Sequence, residues 1–270
     1  MTRADKDLSL RTAWAEVEIA AGYDRGRPGY PADGVEFALE PLPDRSAVRA
    51  LDLGAGTGKL TAALVDAGLD TVAVEPAAGM LRVLRHVVPR ARVVPGSAED
   101  LPVPDGSADL VTAGQAFHWF DRDRALPEIA RVLRPGGVLA LFYNSRDDAV
   151  AWVRALSELV GPAEEADHVS VTSRLEPADL LPWFGFDARR RFRYEQELDA
   201  ARLVDLIASR SYVIRRPEAD RAALLDQVAA LARTHPELVG RQHFSMPYVT
   251  TVLRYRRAER ATRAGQVLRS

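Results

Sequence analysis

The sequence predicts an α/β fold: a mostly parallel sheet with helices on both faces. Three observations carry this. Between Ala47 and Tyr143, short strands that are apolar throughout alternate with helical stretches, the pattern of a parallel sheet buried on both sides. A glycine-rich turn joins the first of these strands to the helix after it. Pro135-Gly136-Gly137 stops a later helix directly before another apolar strand.

The elements follow in order. Residues 10–21 set Trp14, Val17 and Ile19 among charged neighbours and predict a short amphipathic helix that breaks at Gly22. Residues 23–31 are rich in Gly and Pro and read as loop. A helix follows over 33–39, with Asp33 as its N-cap. Strands are predicted at 48–53, 71–74, 91–94, 108–113 and 138–143, and helices at 59–67, 79–87 and 122–133. After Asn144 the rhythm loosens. Helices are expected at 149–160, 177–183, 200–209 and 217–232, and strands at 188–198 and, β-branched and aromatic, at 244–255. The charged stretch 256–270 reads as an exposed helix or a frayed tail.

Composition removes several function classes. The 36 basic and 38 acidic side chains nearly cancel, leaving a net charge of -2, so no excess of positive charge points to nucleic acid. The chain has no cysteine, which excludes a disulfide framework, a thiolate metal site and a cysteine nucleophile. The first ten residues carry Arg3, Asp5, Lys6 and Asp7 and no apolar core of a secretory signal. With no apolar run of membrane-spanning length, a cytoplasmic protein is expected. His168, His235 and His243 are scattered without acids at ligand spacing, and no metal site is inferred.

The sharpest motif is Asp52-Leu53-Gly54-Ala55-Gly56-Thr57-Gly58, which follows a strand and opens a helix. Glycines there let backbone approach a ligand closely, with helix N–H groups facing it. A dinucleotide fingerprint needs Gly or Ala at position 59, and that residue is Lys59. The loop instead resembles motif I of the class I S-adenosylmethionine (SAM)-dependent methyltransferases. The resemblance implies a Rossmann-like sheet, mostly parallel with a late antiparallel strand, that carries helical lid insertions. It further implies that Asp52, Gly54, Ala55, Gly56, Thr57 and Gly58 line the methionine end of SAM. Four regions result: a helical and loop cap (1–45), a SAM-binding core (46–146), the remaining core strands with helical acceptor-lid insertions (147–255) and a charged tail (256–270).

Glu75-Pro76 ends the next strand about twenty residues on. A carboxylate there suits ribose hydroxyls, and with the glycine loop it resembles motif II of the family. Pro76 and Met80 would border the adenine, Met80 being equally a core residue. Gly96-Ser97-Ala98-Glu99-Asp100 resembles the adenine-binding turn, with Ala98 against the ring and Ser97 or Glu99 on its amino group. The family often has Asp where Ser97 stands, and Glu99 and Asp100 also read as solvated loop acids.

Past the fourth strand, Gly114-Gln115-Ala116-Phe117-His118-Trp119 lies at the edge where open α/β sheets bind ligands. It resembles a small-molecule subgroup of the methyltransferase type 11 group, related to trans-aconitate methyltransferases. Gln115 and Ala116 would then flank the sulfonium, and His118 and Trp119 would face the acceptor. His118 is the one candidate catalytic base, or else a packed or capping residue. Tyr23, Arg27 and Tyr30 match a Tyr-x-x-x-Arg-Pro-x-Tyr-Pro element of the subgroup. They either close over the ligands, Arg27 holding a carboxylate, or pin the loop by packing. Arg210 and Tyr212 line the acceptor pocket or serve the surface.

These features together read as an enzyme that moves a methyl group from SAM to a small organic acceptor, releasing S-adenosylhomocysteine. The protein is a monomer or homodimer, with neither nucleic acid nor membrane as partner. The run Arg189-Arg190-Arg191-Phe192-Arg193 is the nearest thing to a basic patch and is read as a solvated strand face. Three rivals stay open: a SAM-binding cyclase or sensor, an NAD(P)-dependent oxidoreductase and a nucleic-acid methyltransferase.

Overall fold

Alternation along the central strands divides their side chains between two buried layers. In the computed structural model, which describes residues 17–45, 47–160, 180–214 and 216–258, Leu51 and Leu53 point to one face of β1 (Arg49–Leu53) and Ala50 to the other. Leu139, Leu141 and Tyr143 likewise oppose Val138, Ala140 and Phe142 on β5 (Leu133–Arg146). A strand apolar on both faces is stable only between two layers, and helices supply both.

The chain builds α1 (Val17–Gly26), α2 (Ala32–Leu39), β1, α3 (Lys59–Asp66), β2 (Asp70–Glu75), α4 (Ala78–Val87), β3 (Arg92–Pro95) and β4 (Ala108–Gly114). A 3-10 turn over Phe117–Trp119 precedes α5 (Arg122–Val132) and β5. The second half holds α6 (Ala151–Val160), β6 (Phe184–Leu198), α7 (Ala200–Ala208), α8 (Ser211–Ile214), α9 (Glu218–Thr234) and β7 (Phe244–Arg257). The seven strands form one sheet in the order β3-β2-β1-β4-β5-β7-β6. β1 to β5 pair in parallel, and β7 alone runs against both its neighbours.

Leu198 at the end of β6 pairs with Phe244 at the start of β7. The 199–243 connection, with α7, α8 and α9, therefore sits at the carboxyl edge of the sheet. These helices and α6 share a core of their own, including Trp152, Leu156, Leu206, Ile207, Leu224 and Val228. Each such side chain contributes roughly 1.5–3 kcal/mol when fully buried, so the lid has its own hydrophobic support. α1 closes it by packing on both α4 and α7.

Several boundaries differ from expectation. The first helix does not break at Gly22 but runs on to Gly26, taking in residues expected as loop. Packing on two helices offsets the roughly 1 kcal/mol that a helical glycine costs. Gly26 serves that packing: a Cβ there would lie 2.7 Å from the Leu206 backbone. β5 begins at Leu133, because the Pro-Gly-Gly stretch bulges out between the pairings Ala108↔Leu133 and Leu110↔Val138. β6 starts at Phe184, earlier than expected, while α8 and the 3-10 turn had no local signal. The start of the 10–21 helix, residues 177–179 and the tail beyond Ala258 lie outside the described residues; where the 177–183 helix was expected to finish, Leu181–Trp183 are turn, and Arg256 and Arg257 close β7.

Candidate active site

β1 delivers its glycine loop to the carboxyl edge in a conformation few residues adopt. Gly54, Gly56 and Gly58 have φ of 60°, 57° and 93°, in the left-handed region. Gly54 also has no room for a side chain, since a Cβ would meet the Ala116 Cβ at 2.8 Å. Gly58 has a different task. It lines neither cavity at this edge, and a Cβ would strike Leu84 of α4. Thr57 is buried, and its hydroxyl has no hydrogen-bond partner among the described residues.

Asp52 is fully buried on β1 and accepts hydrogen bonds from the Thr61 hydroxyl at 2.7 Å and the Thr112 hydroxyl at 2.8 Å. Burial pushes its carboxyl up to about 6; the two hydroxyls oppose that rise, and the neighbouring Glu75 adds to it. Glu75, at the end of β2, accepts the Gly56 amide at 2.9 Å and the Ala77 amide at 2.8 Å. One carboxylate thus ties the glycine loop to the start of α4.

Two cavities open along this edge and share Tyr23, Gly54, Gly56, Gly114 and Gln115. The larger, about 840 Å3, is lined by Glu75, Pro76, Met80, Ser97, Ala98, Glu99, Ala116 and Trp119 among others. The smaller, about 550 Å3, lies under the lid and is lined by Asp52, Ala55 and Thr57 from the loop. Tyr23, Arg27, Tyr30 and Arg210 line it from the cap and lid.

Gln115, between the cavities, has φ 54°, the one non-glycine residue with positive φ among the described residues. It is held there by its own amide donating to the Phe142 carbonyl and its side chain donating to the Asn144 carbonyl, both at 2.9 Å. Its Oε1 is buried without a partner among the described residues. Backbone strain of this kind gathers at ligand sites.

Cap and lid meet across the chain. Arg27 donates from Nε to the Ser209 hydroxyl at 3.1 Å and from Nη2 to the Ser209 carbonyl at 3.2 Å. Its guanidinium stands 4.5 Å from the Tyr23 ring centroid. Tyr30 packs edge-on to Phe142 and against Gly114, where a Cβ would lie 2.7 Å from its hydroxyl. Burial raises the Tyr30 phenol well above its ordinary value, so it stays a neutral donor. Lys59 is matched by Asp24 of α1 at 2.9 Å.

His118 and Tyr212, expected to face the acceptor, line neither cavity. His118 sits in the 3-10 turn with its ring 4.8 Å from that of Trp119. Tyr212 stands on α8, near enough to Arg27 to act on its charge. The cavities also include residues the sequence did not single out. Asn144 donates to the Gly29 carbonyl and accepts from Thr250, and Tyr248 comes from β7. Asn144 directly follows the predicted fifth strand, 138–143, at the strand edge where open α/β sheets bind ligands. Tyr248 carries no local signal. Among the described residues no cluster of His and acids could hold a metal, and no helix is long and apolar enough to cross a membrane.

A reversed β7 inside the order 3-2-1-4-5-7-6, a strained glycine loop after β1 and an acid closing β2 define a Rossmann-like sheet of the methyltransferase type. The methyltransferase-domain family model Methyltransf_11 matches residues 51–141. An uncharacterised methyltransferase of Mycobacterium tuberculosis is 43% identical over 254 residues, covering 94% of this chain and 98% of that one. A methyltransferase-like protein of Schizosaccharomyces pombe is 33% identical over 249 residues, 91% of this chain and 95% of its own. A solved structure, a putative type II methyltransferase from Anaeromyxobacter dehalogenans, superposes with a TM-score of 0.59 at 26% identity, covering 86% of this chain and 97% of that one. The chain belongs to the class I SAM-dependent methyltransferase family. None of these three relatives is described as a trans-aconitate methyltransferase.

Proposed function

We propose that the protein transfers the methyl group of SAM to a small organic acceptor. The observation that carries this reading is the pair of cavities joined at Gly54, Gly56, Gly114, Gln115 and Tyr23: one suits a nucleoside, and the other reaches under a lid. SAM fits the donor set. The buried Thr57 Oγ1 and Gln115 Oε1 are polar atoms that the fold leaves unsatisfied, and such atoms call for a ligand or water.

Asp52 would meet the cofactor's ammonium, Glu75 its ribose hydroxyls, and Pro76, Met80, Ser97, Ala98 and Glu99 its adenine. When bound, SAM would supply an electrophilic methyl on a sulfonium, with S-adenosylhomocysteine as the leaving group. The chain's own contribution is alignment and exclusion of water. Gln115 and Ala116, fixed by the strained turn, would border the reacting carbon. Tyr30 and the lid residues close the cavity from above. We assign no proton transfer to His118, which lines neither cavity, and the acceptor's proton leaves to solvent.

Calorimetric titration with SAM, S-adenosylhomocysteine and NADH tests the cofactor reading, with Asp52→Ala as control. Micromolar binding of both adenosyl ligands, weakened by the substitution and absent for NADH, supports it. NADH binding without a response to SAM overturns it in favour of an oxidoreductase. Formation of S-adenosylhomocysteine in an acceptor screen then separates a transferase from a SAM-binding sensor.

A further inference from the structure

A third cavity, of about 710 Å3, opens at the opposite edge of the sheet, where β1 to β4 begin. Strand register fixes its floor. Arg49 is the partner of Asp70, and Val72 the partner of Arg92; cross-strand partners and alternate residues share one face of a sheet. Arg49, Leu51, Asp70, Val72 and Arg92 therefore stand on the same face, and all five line the cavity. β1 rises about 13 Å from Arg49 to Leu53, where the glycine loop starts, so this floor is separate from the cofactor cleft.

The wall is held from behind. Arg131 of α5 donates from Nη2 to the Leu101 carbonyl and from Nη1 to the Val103 carbonyl, both at 3.0 Å. Its own carbonyl accepts the Gly106 amide at 3.0 Å. Val103, Pro104 and Ser107 line the cavity from this anchored segment.

Opposite charges on paired strands ordinarily stabilise a sheet by meeting each other. Here Arg49 turns toward β4 instead. Its amide donates to Asp109 Oδ2 at 2.9 Å, its Nε stands 3.9 Å from the same oxygen, and its Nη2 reaches the Gly106 carbonyl at 3.4 Å. The cross-strand partner, Asp70, is left without an ion pair or side-chain hydrogen bond among the described residues, and so is Arg92. One acid and one base thus face a shared cavity unmatched. Their Cα atoms are roughly 8 Å apart, one strand spacing across and two residues along, with the half-buried Val72 between them.

We propose that this cavity binds a free amino acid with an apolar side chain. Its carboxylate lies on Arg92, its ammonium on Asp70 and its side chain against Val72, Val103 and Pro104. A simple anion suits the floor poorly because Asp70 repels it, and a simple cation meets Arg92. A zwitterion matches both charges and covers apolar surface as well. The site does not depend on the proposed methyl transfer.

Amide NMR of the full chain titrated with L-leucine and L-phenylalanine tests the site. Saturable shifts are expected at the starts of β2 and β3 and over 103–108, with millimolar affinity because both charges are solvated. Excess S-adenosylhomocysteine should leave them in place. Arg92→Gln and Asp70→Asn, both at exposed positions, should each weaken binding at least tenfold. N-acetyl-leucine, which lacks the ammonium, and leucinamide, which lacks the carboxylate, should bind at least tenfold more weakly than leucine. Shifts confined to the glycine loop, or abolished by S-adenosylhomocysteine, would put the amino acid in the cofactor cleft and overturn the proposal. It is equally overturned if N-acetyl-leucine binds as well as leucine, if neither substitution changes the affinity, or if no saturable shift arises where β1 to β4 begin.

Discussion

Asp52 and Thr112 are register partners on the adjacent parallel strands β1 and β4, and the Thr112 hydroxyl donates to the Asp52 carboxylate at 2.8 Å. The pairing holds an acid in the centre of the sheet, where burial raises its carboxyl to about 6 from an ordinary 3.8. Because the folded value lies above the unfolded one, the associated stability is present in full below pH 4. It is lost as pH rises through 6. At about 1.4 kcal/mol for each tenfold change in proton affinity, the loss approaches ~3 kcal/mol by pH 8. Urea unfolding of the ligand-free protein and of Asp52→Asn between pH 4 and 8 reads this directly. The stability difference between them should move by that amount in favour of the variant, and parallel pH profiles would show that Asp52 is not so perturbed.

Through its proposed contact with the cofactor's ammonium, the same carboxyl would couple binding to pH. A ligand ammonium placed against Asp52 favours its ionised form, so binding expels a proton below pH 6. SAM affinity is expected to fall toward tenfold per pH unit between pH 6 and 5, while Asp52→Asn binds weakly with little pH dependence. Calorimetry in buffers of different ionisation enthalpy measures the released proton; no release at pH 5.5 would place the ammonium elsewhere.

Gly26→Ala should loosen the lid without unfolding the sheet. Its Cβ would meet Leu206 Cα and N, both at 2.7 Å, and backbone atoms cannot rotate away. Helices α1 and α7 must separate, weakening S-adenosylhomocysteine binding by about tenfold or more, on the scale of a contact worth roughly 1.4 kcal/mol. Hydrogen exchange should rise in α1 and α7 and stay unchanged in β1 and β4. Uniformly faster exchange would count against a local effect.

At position 115, glycine should be better than alanine. Both substitutions remove the side-chain bond to the Asn144 carbonyl, but only alanine retains the left-handed strain at φ 54°. Gln115→Gly is expected to exceed Gln115→Ala in stability by about 1 kcal/mol, measured by chemical unfolding. The reverse order would mean that the strain is not present in solution.

His118→Ala tests the absence of a side-chain base. A general base contributes roughly 10²–10⁴ in rate. Once an acceptor is found, turnover within about tenfold of the unaltered enzyme is expected, with an unchanged pH profile. A hundredfold loss with disappearance of an acid limb would restore His118 to catalysis.

The legible part of this protein is local. Positive φ at Gly54, Gly56 and Gly58 is a backbone demand that one residue type meets cheaply, so the loop is visible without any tertiary information. Apolar runs at 48–53, 108–113 and 138–143 announce buried parallel strands for the same reason. Continuation of α1 through Gly22 was hidden, because local propensity favours a break and only contact with α4 and α7 reverses it. From sequence the bulge at 134–137 reads as a turn, since the pairing of Leu133 with Ala108 depends on a partner strand.

From its residues alone, the chain determines the order of strand, glycine loop, helix and acid that marks the family and its cofactor edge. Those features follow from short-range backbone sterics and burial periodicity. Tertiary structure decides the rest of the cleft. It brings Arg27 to Ser209 across 182 residues, sets Tyr248 of β7 in the same cavity lining as Gln115, leaves His118 out of the lining and raises the Asp52 carboxyl by enclosing it. Each of these depends on which distant groups exclude water from a site, and that is a property of packing between elements that no local pattern encodes.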